Sequence, residues 1–283
     1  MEKEQAQSLL KTGIRKDPED NRDYIFSSTI VPDDISISSI EDIPSKVDYT
    51  DEMTPVKSQG QKGSCVAFAV NAMKEWQEQK EHNKEVKEGK VDHRKNQEYY
   101  DLSEQWLYYN CKKIDPWPNE EGTNFRSAFK VLNKIGVPPE KGWPYSDIKI
   151  GSPESWATMI AKWCLCGSYW RISGLENIKK ALLEGPIVIG MALFEEMFGN
   201  LVDGVVPYPS KPDQIWGGHA LTAVGFDDDT QLLKFKNSWS PYWGSAGYGY
   251  IPYSYVNDFV WDAWTAIDIS VTNEMLKGTR NLI

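Results

Sequence analysis

TPVKSQGQKGSCVAFA occupies residues 54–69, and its pattern changes at Ser64. Gly60 and Gly63 interrupt the chain before that point. After it, Val66, Ala69, Met73 and Trp76 recur at helical spacing as one buried stripe. The spacing predicts a helix from Ser64 to about Lys80, with Ser64 as its N-cap. Cys65 then falls in the first turn. A helix N-terminus carries partial positive charge and unpaired N–H groups, which lower a thiol pKa. Gln59, six residues upstream on the glycine-rich loop, offers an amide donor beside the Cys65 N–H. The competing reading is a buried, inert thiol, the usual fate of a free cysteine.

A thiol nucleophile needs a base, and the chain has three histidines. His82 and His93 lie in the charge-dense stretch 77–101, which reads as a solvated helix end and loop. His219 opens the apolar run HALTAVGF (219–226), which faces LLKFKNSW (232–239) across an acidic turn as an antiparallel hairpin. With the turn centred on 228–229, His219 lies opposite Ser238, one place from Asn237. A loop one residue different in length puts Asn237 directly opposite, where paired Cβ atoms lie roughly 4.5–5.5 Å apart and its side-chain oxygen can orient the imidazole. The plainer reading makes His219 a structural histidine and Asn237 a strand end.

The wider composition is that of a globular protein: 283 residues, 40% hydrophobic and 25% charged. A net charge of −10 argues against nucleic acid as a partner. The first residues lack a signal-peptide core, and no segment has the roughly 20 apolar residues that span a bilayer. A cytoplasmic location follows as the expectation, with non-classical export left open. Removing Cys65 from the four cysteines leaves Cys111, Cys164 and Cys166, an odd set that fits a reducing compartment.

Helices are predicted over 102–112, 123–135 (ended by Gly136 and blocked by Pro138 and Pro139) and 175–184, with a buried strand at 187–193. Helices precede strands, the α+β pattern. Asp17, Asp20, Arg22, Asp23 and Tyr24 form a compact charged turn, and Ile35, Ile37 and Ile40 suggest a short extended piece. Residues 1–42 read as an N-terminal extension laid on the surface.

Three segments in order now carry a resemblance. TPVKSQGQKGSCVAFA (54–69), GGHALTAVGF (217–226) and KNSWSPYWGSAGYGYI (236–251) resemble the cysteine, histidine and asparagine segments of papain-like cysteine peptidases. LSEQWL (102–107), GWPYSD (142–147) and IKKALLEGPI (178–187) are weaker matches between them, so the likeness runs over roughly 43–267. It implies an α+β papain-like fold of two subdomains: a helical half over about 50–155 and an antiparallel, barrel-like β half over about 156–267, with a cleft between. A tail follows at 268–283.

The resemblance also implies roles. Cys65 is the nucleophile, His219 its base, Asn237 the orienting residue and Gln59 the oxyanion donor. Trp239 shields the Asn–His bond, and Trp243 forms a wall on the leaving-group side. Gly63 and Ser64 border the substrate, and Gly122 and Thr123 bind its backbone. Phe125, Gly190, Gly218 and Ala220 line the main specificity pocket. The expected function is hydrolysis of peptide or protein substrates by an endopeptidase that holds a resting thiolate–imidazolium pair, with no metal or cofactor. Alternatives are another thiol acyl-transfer enzyme (aminopeptidase, deamidase or transglutaminase-like) or a catalytically silent binding protein.

Departures from the pattern are visible. Lys62 stands where the family has a cysteine and Val66 where it has an aromatic residue, and Cys111 lacks a downstream partner. From Cys65 to His219 is an interval of 154 residues, against about 130–150 in the family. The long helical pro-region is absent, as in divergent microbial and viral members. Residues 1–42 are either a short self-inhibitory segment crossing the cleft or a strap that only adds stability.

Overall fold

A computed structural model of the chain describes residues 13–26, 43–89, 100–199 and 201–268. The expected extended piece around Ile35–Ile40, His93 and nearly all of the C-terminal tail fall outside that range.

The first long helix, α1 (Cys65–Lys87), is buried on all sides from Cys65 to Trp76 rather than along one stripe. The reason is its position: it passes between the sheet and two further helices, α2 (Glu104–Lys112) and α3 (Phe125–Lys134). Beyond Trp76 it emerges and runs on to Lys87, past the expected end near Lys80, so the helical part of the charged stretch is longer than expected. Both neighbours are capped by side chains. Ser103 accepts from Trp106 N at 3.1 Å, and Asn124 accepts from Ser127 N at 3.2 Å. Helix α3 stops where Gly136 takes φ +77, and a β carbon there would lie 1.9 Å from the Ala161 carbonyl oxygen. Only glycine fits that turn.

A short helix, α4 (Ala157–Ala161), leads to strand β3 (Cys166–Arg171). Then follow α5 (Leu175–Leu182), β4 (Ile187–Leu193), β5 (Gly217–Asp227), β6 (Leu232–Lys236), β7 (Tyr248–Pro252), α6 (Tyr253–Phe259) and β8 (Val260–Asp268). Two short N-terminal strands, β1 (Tyr24–Ile25) and β2 (Lys46–Asp48), join the same sheet. Its order is β1-β3-β8-β4-β5-β6-β7, with β2 on β5. All pairings are antiparallel except β1 with β3. Strand β4 is buried throughout and central, which explains its unbroken apolar run. Helix α1 covers one face of the sheet, with Phe129, Trp106 and Trp264 in that core. Helices α5 and α6 cover the other, around Phe226, Phe235 and Tyr255.

The helices-then-sheet order is the expected α+β papain-like arrangement. The hairpin register differs from the expectation. The turn takes residues 228–231 and the ladder slips at Val224, so Thr222 pairs with Lys236 and Asp227 with Leu232. His219 therefore has no direct partner on β6; its ladder partner is Met191 on β4.

Candidate active site

Strand β5 lies against the start of α1, which brings the residue after His219 to Cys65. The N–H of Ala220, the residue after His219, donates to Cys65 Sγ at 3.4 Å. Asn237 stands just past the end of β6, where its N–H donates to the Gly247 carbonyl at 2.9 Å. Its Oδ1 lies 2.8 Å from His219 Nε2. The Asn–His contact thus forms side by side at a strand end, and not across a paired rung. Trp239 stacks on the imidazole with ring centroids 4.5 Å apart, and Trp243 packs edge-on against Trp239 at 5.7 Å. Phe198, missed in the sequence, stacks on the outer side of Trp239 at 5.4 Å.

Gln59 is fixed beside them. Its backbone N–H donates to Ser238 O at 2.9 Å, and its Oε1 accepts from Ser238 Oγ at 2.6 Å. Its Nε2 donates to Lys62 O at 2.9 Å, which leaves the second amide hydrogen free to serve an oxyanion. The loop is tied down without a disulfide. Lys62 donates to Gln105 Oε1 at 3.0 Å and to the Ser146 carbonyl, and Tyr145 Oη donates to Gln59 O at 2.7 Å. All four cysteines are free and buried. Ser64 sits at the N-cap position, but its hydroxyl meets Tyr145 Oη at 2.6 Å and makes no cap bond. Its side chain is therefore held in the loop wall.

The cleft is filled by the chain's own residues 13–15. Thr123 N–H donates to Gly13 O at 3.1 Å, and Arg15 N–H donates to Thr123 O at 2.8 Å, a parallel bridge. A β carbon on Gly13 would lie 2.5 Å from Cys65 Sγ and 2.9 Å from the Gly63 carbonyl carbon. Of the expected backbone-binding pair, only Thr123 faces the strap. Gly122 donates to Tyr108 Oη at 3.2 Å and accepts from Lys112 Nζ at 2.8 Å, so both its backbone groups face inward. Ile14 enters a pocket formed by Phe125, Gly190, Gly218 and Trp261. Three of these were expected; Ala220 instead holds the sulfur, and Trp261 was missed because nothing in VWDAW sets it apart from a strand tryptophan.

Both Cys65 and His219 are buried in this closed arrangement. Burial pushes the Cys65 thiol up to about 12, against the pull of the Ala220 and Gly13 N–H groups. Burial pushes His219 down to about 4, only partly opposed by its bond to Asn237. In this covered arrangement burial works against the charged form of both groups.

A second anchor lies further along the strap. Asp17 accepts from Asn124 Nδ2 at 2.7 Å and from the Arg126 N–H at 3.2 Å, at the N-terminus of α3. Its own N–H donates to Asp262 Oδ2 at 2.9 Å. Arg126 bridges to Asp23 and to the Pro18 carbonyl, and Arg171 pairs with Asp262 at 2.5 Å. Burial and the Asp262 charge push the Asp17 carboxyl up to about 7 despite Arg126. The charged turn read at 17–24 thus splits: Asp20 and Arg22 pair at the surface, whereas Asp17 and Asp23 point inward.

A family model described as papain family cysteine protease matches residues 43–259. An uncharacterized peptidase C1-like protein of Acanthamoeba polyphaga mimivirus is 34% identical over 214 residues, covering 71% of this chain and 65% of the relative. A cathepsin L-like proteinase of Fasciola hepatica is 27% identical, over 73% of this chain and 59% of that protein. The chain thus spans about two thirds or less of the length of these two relatives. Among solved structures, xylellain, a cysteine protease from Xylella fastidiosa, superposes with a TM-score of 0.76 at 27% identity, covering 93% of this chain and 97% of that one. The fold, the site's placement and these likenesses agree: the chain belongs to the papain family of cysteine proteases.

Proposed function

We propose that the chain is a cysteine peptidase whose cleft is closed by its own N-terminal strap. What supports the reading is that His219 bonds Asn237, the adjoining Ala220 N–H reaches Cys65 Sγ, and Gln59 is bonded to Ser238, all beside an extended backbone held on Thr123. With the strap displaced, water returns and His219 takes the Cys65 proton, since each ion then stabilises the other. The thiolate attacks a peptide carbonyl; the Gln59 amide and the Cys65 N–H hold the oxyanion. His219 protonates the leaving amine and then activates water to free the acyl group.

The strap does not present its Gly13 carbonyl for attack. It presents the Gly13 N–H to the sulfur, and its Gly13 carbonyl is held by Thr123, away from Gln59. The Gly13 carbonyl carbon is thus not offered to the thiolate. Four free thiols support a reducing compartment, and so the cytoplasmic reading. Among the described residues no helix is long and apolar enough to cross a membrane.

The test is cleavage of a peptide library by the strap-displaced protein and by its Cys65→Ala form. Two-fragment products that vanish with Cys65→Ala are expected, with internal cleavage marking an endopeptidase. Amine adducts or a released side-chain ammonia would point to the acyl-transfer alternatives. Turnover surviving in pure Cys65→Ala protein refutes the assignment.

A further inference from the structure

We propose that Trp261 sets the size of one side-chain pocket that the strap and a substrate peptide share, limiting it to branched aliphatic groups of about isoleucine size. The substrate half of this proposal rests on the peptidase reading above.

The pocket floor is backbone. Gly190 and Gly218 lie on adjacent strands, diagonal to each other, where Gly190 pairs with Ala220 and Ala192 with Gly218. A β carbon built on Gly190 would fall 2.4 Å from Ile14 Cδ1, 3.2 Å from Phe125 Cε2 and 3.4 Å from Trp261 Nε1. One built on Gly218 would fall 2.8 Å from Ile14 Cγ2 and 2.7 Å from Trp261 Cζ2. The indole therefore spans both glycines, and both ends of the Ile14 side chain lodge between it and the bare sheet. Although Ile14 belongs to a surface strap, it is only 4% exposed. No charged side chain is among these neighbours, so the pocket selects by shape and apolarity.

A slip in the sheet aims the indole. Along β8, Asp262 pairs with Gly190 but Val260 pairs with Met191, which leaves Trp261 as the extra residue of a bulge. Bulges beside functional sites redirect one side chain. The Trp261 N–H is buried without an acceptor, so packing and the bulge hold the ring and no hydrogen bond does. A phenyl ring entering this pocket meets the indole, whereas isoleucine already fills it.

The strap offers a test that needs no turnover: the iodoacetamide alkylation rate of Cys65 in the full chain, read by mass spectrometry. Ile14→Phe should not seat, and Trp261→Ala should leave Ile14 loose. Each should speed alkylation about 10-fold, the scale of one misfitted group in an apolar pocket. The double variant Ile14→Phe/Trp261→Ala should return toward the slow rate, because the larger ring fills the vacated space. Trp261→Leu, a smaller change checked by its melting temperature, replaces Trp261→Ala if that variant fails to fold. Full additivity of the two changes, without rescue, overturns the shared-pocket geometry.

The substrate half is read on a positional-scanning peptide library with Gly13→Val protein, in which the strap is displaced. One position should favour Ile, Val and Leu over Phe by at least about 10-fold, and Trp261→Ala should erase or invert that order. Peptides cleaved with no aliphatic preference, or with one that ignores Trp261, overturn the proposal and leave the peptidase reading standing. Rescue in the alkylation assay with no peptide cleaved sinks the peptidase reading and leaves the pocket assigned to the strap alone.

Discussion

Replacing Gly13 with valine should open the cleft without touching the residues proposed for catalysis. The first side-chain carbon alone would sit 2.5 Å from Cys65 Sγ and within 3.0 Å of the Gly63 carbonyl group. Backbone and sulfur cannot both yield, since Cys65 is wholly buried at the start of α1. The strap must lift instead, giving up the two Thr123 hydrogen bonds and the Ile14 seat. Overpacking of this kind costs about 1–3 kcal/mol. At 1.36 kcal/mol per tenfold change, the open population rises by roughly 5- to 150-fold. The Asp17 and Asp23 anchors lie further along and should keep the rest of the strap docked. The assay is the alkylation rate of Cys65 at pH 7, with Cys111 as the buried internal reference. Cys65 should accelerate within that range while Cys111 stays slow. A Cys65 rate within twofold of the parent would mean that the strap does not guard the thiol, and the account of the closed cleft would fail. Equal acceleration of Cys111 would show general unfolding instead.

Other outcomes follow from the same contacts. His219, down at about 4 when covered, favours closure above its ordinary 6.5, and that support is lost as pH falls through 4. Asp17, raised to about 7, works the other way: its support is full below 3.8 and lost as pH rises through 7. Asp17→Asn should therefore unmask the histidine, so that Cys65 alkylation relative to the parent is faster at pH 4.5 than at pH 7; a ratio that does not change with pH refutes the opposition of the two groups. Lys57 pairs with Glu75 at 2.7 Å and Glu104 at 2.8 Å beneath the Gln59 loop. Lys57→Met leaves two buried carboxylates without their cation and should cost about 3–5 kcal/mol in denaturant unfolding. Arg126→Ala removes the clamp on Asp23 and Pro18 and should raise Cys65 alkylation with little change in melting temperature; an unchanged alkylation rate would show that the clamp does not hold the strap.

The candidate site was legible in residues 54–69 and 217–251 because local rules apply there. A glycine break, a helical stripe and a cysteine in the first turn are short-range features, and so is a histidine beside a hairpin. The α+β order and the buried strand 187–193 were readable for the same reason: apolar period and turn residues fix elements within a few positions. The hairpin register was not readable, because a four-residue turn and a slip at Val224 depend on how β5 sits between β4 and β6.

What only the tertiary structure decided is long-range. Gly13 and Ile14 carry no signal in a polar segment, yet they lie on Cys65 and among Phe125, Gly190 and Gly218. Asp17 and Asp262, far apart in the chain, share one buried charge cluster with Arg126 and Arg171. Trp261 reaches the cleft through a bulge that no period reveals. The burial of the thiol and imidazole belongs to this class too. Sequence names the groups that can ionise; whether water reaches them is set by what folding lays on top.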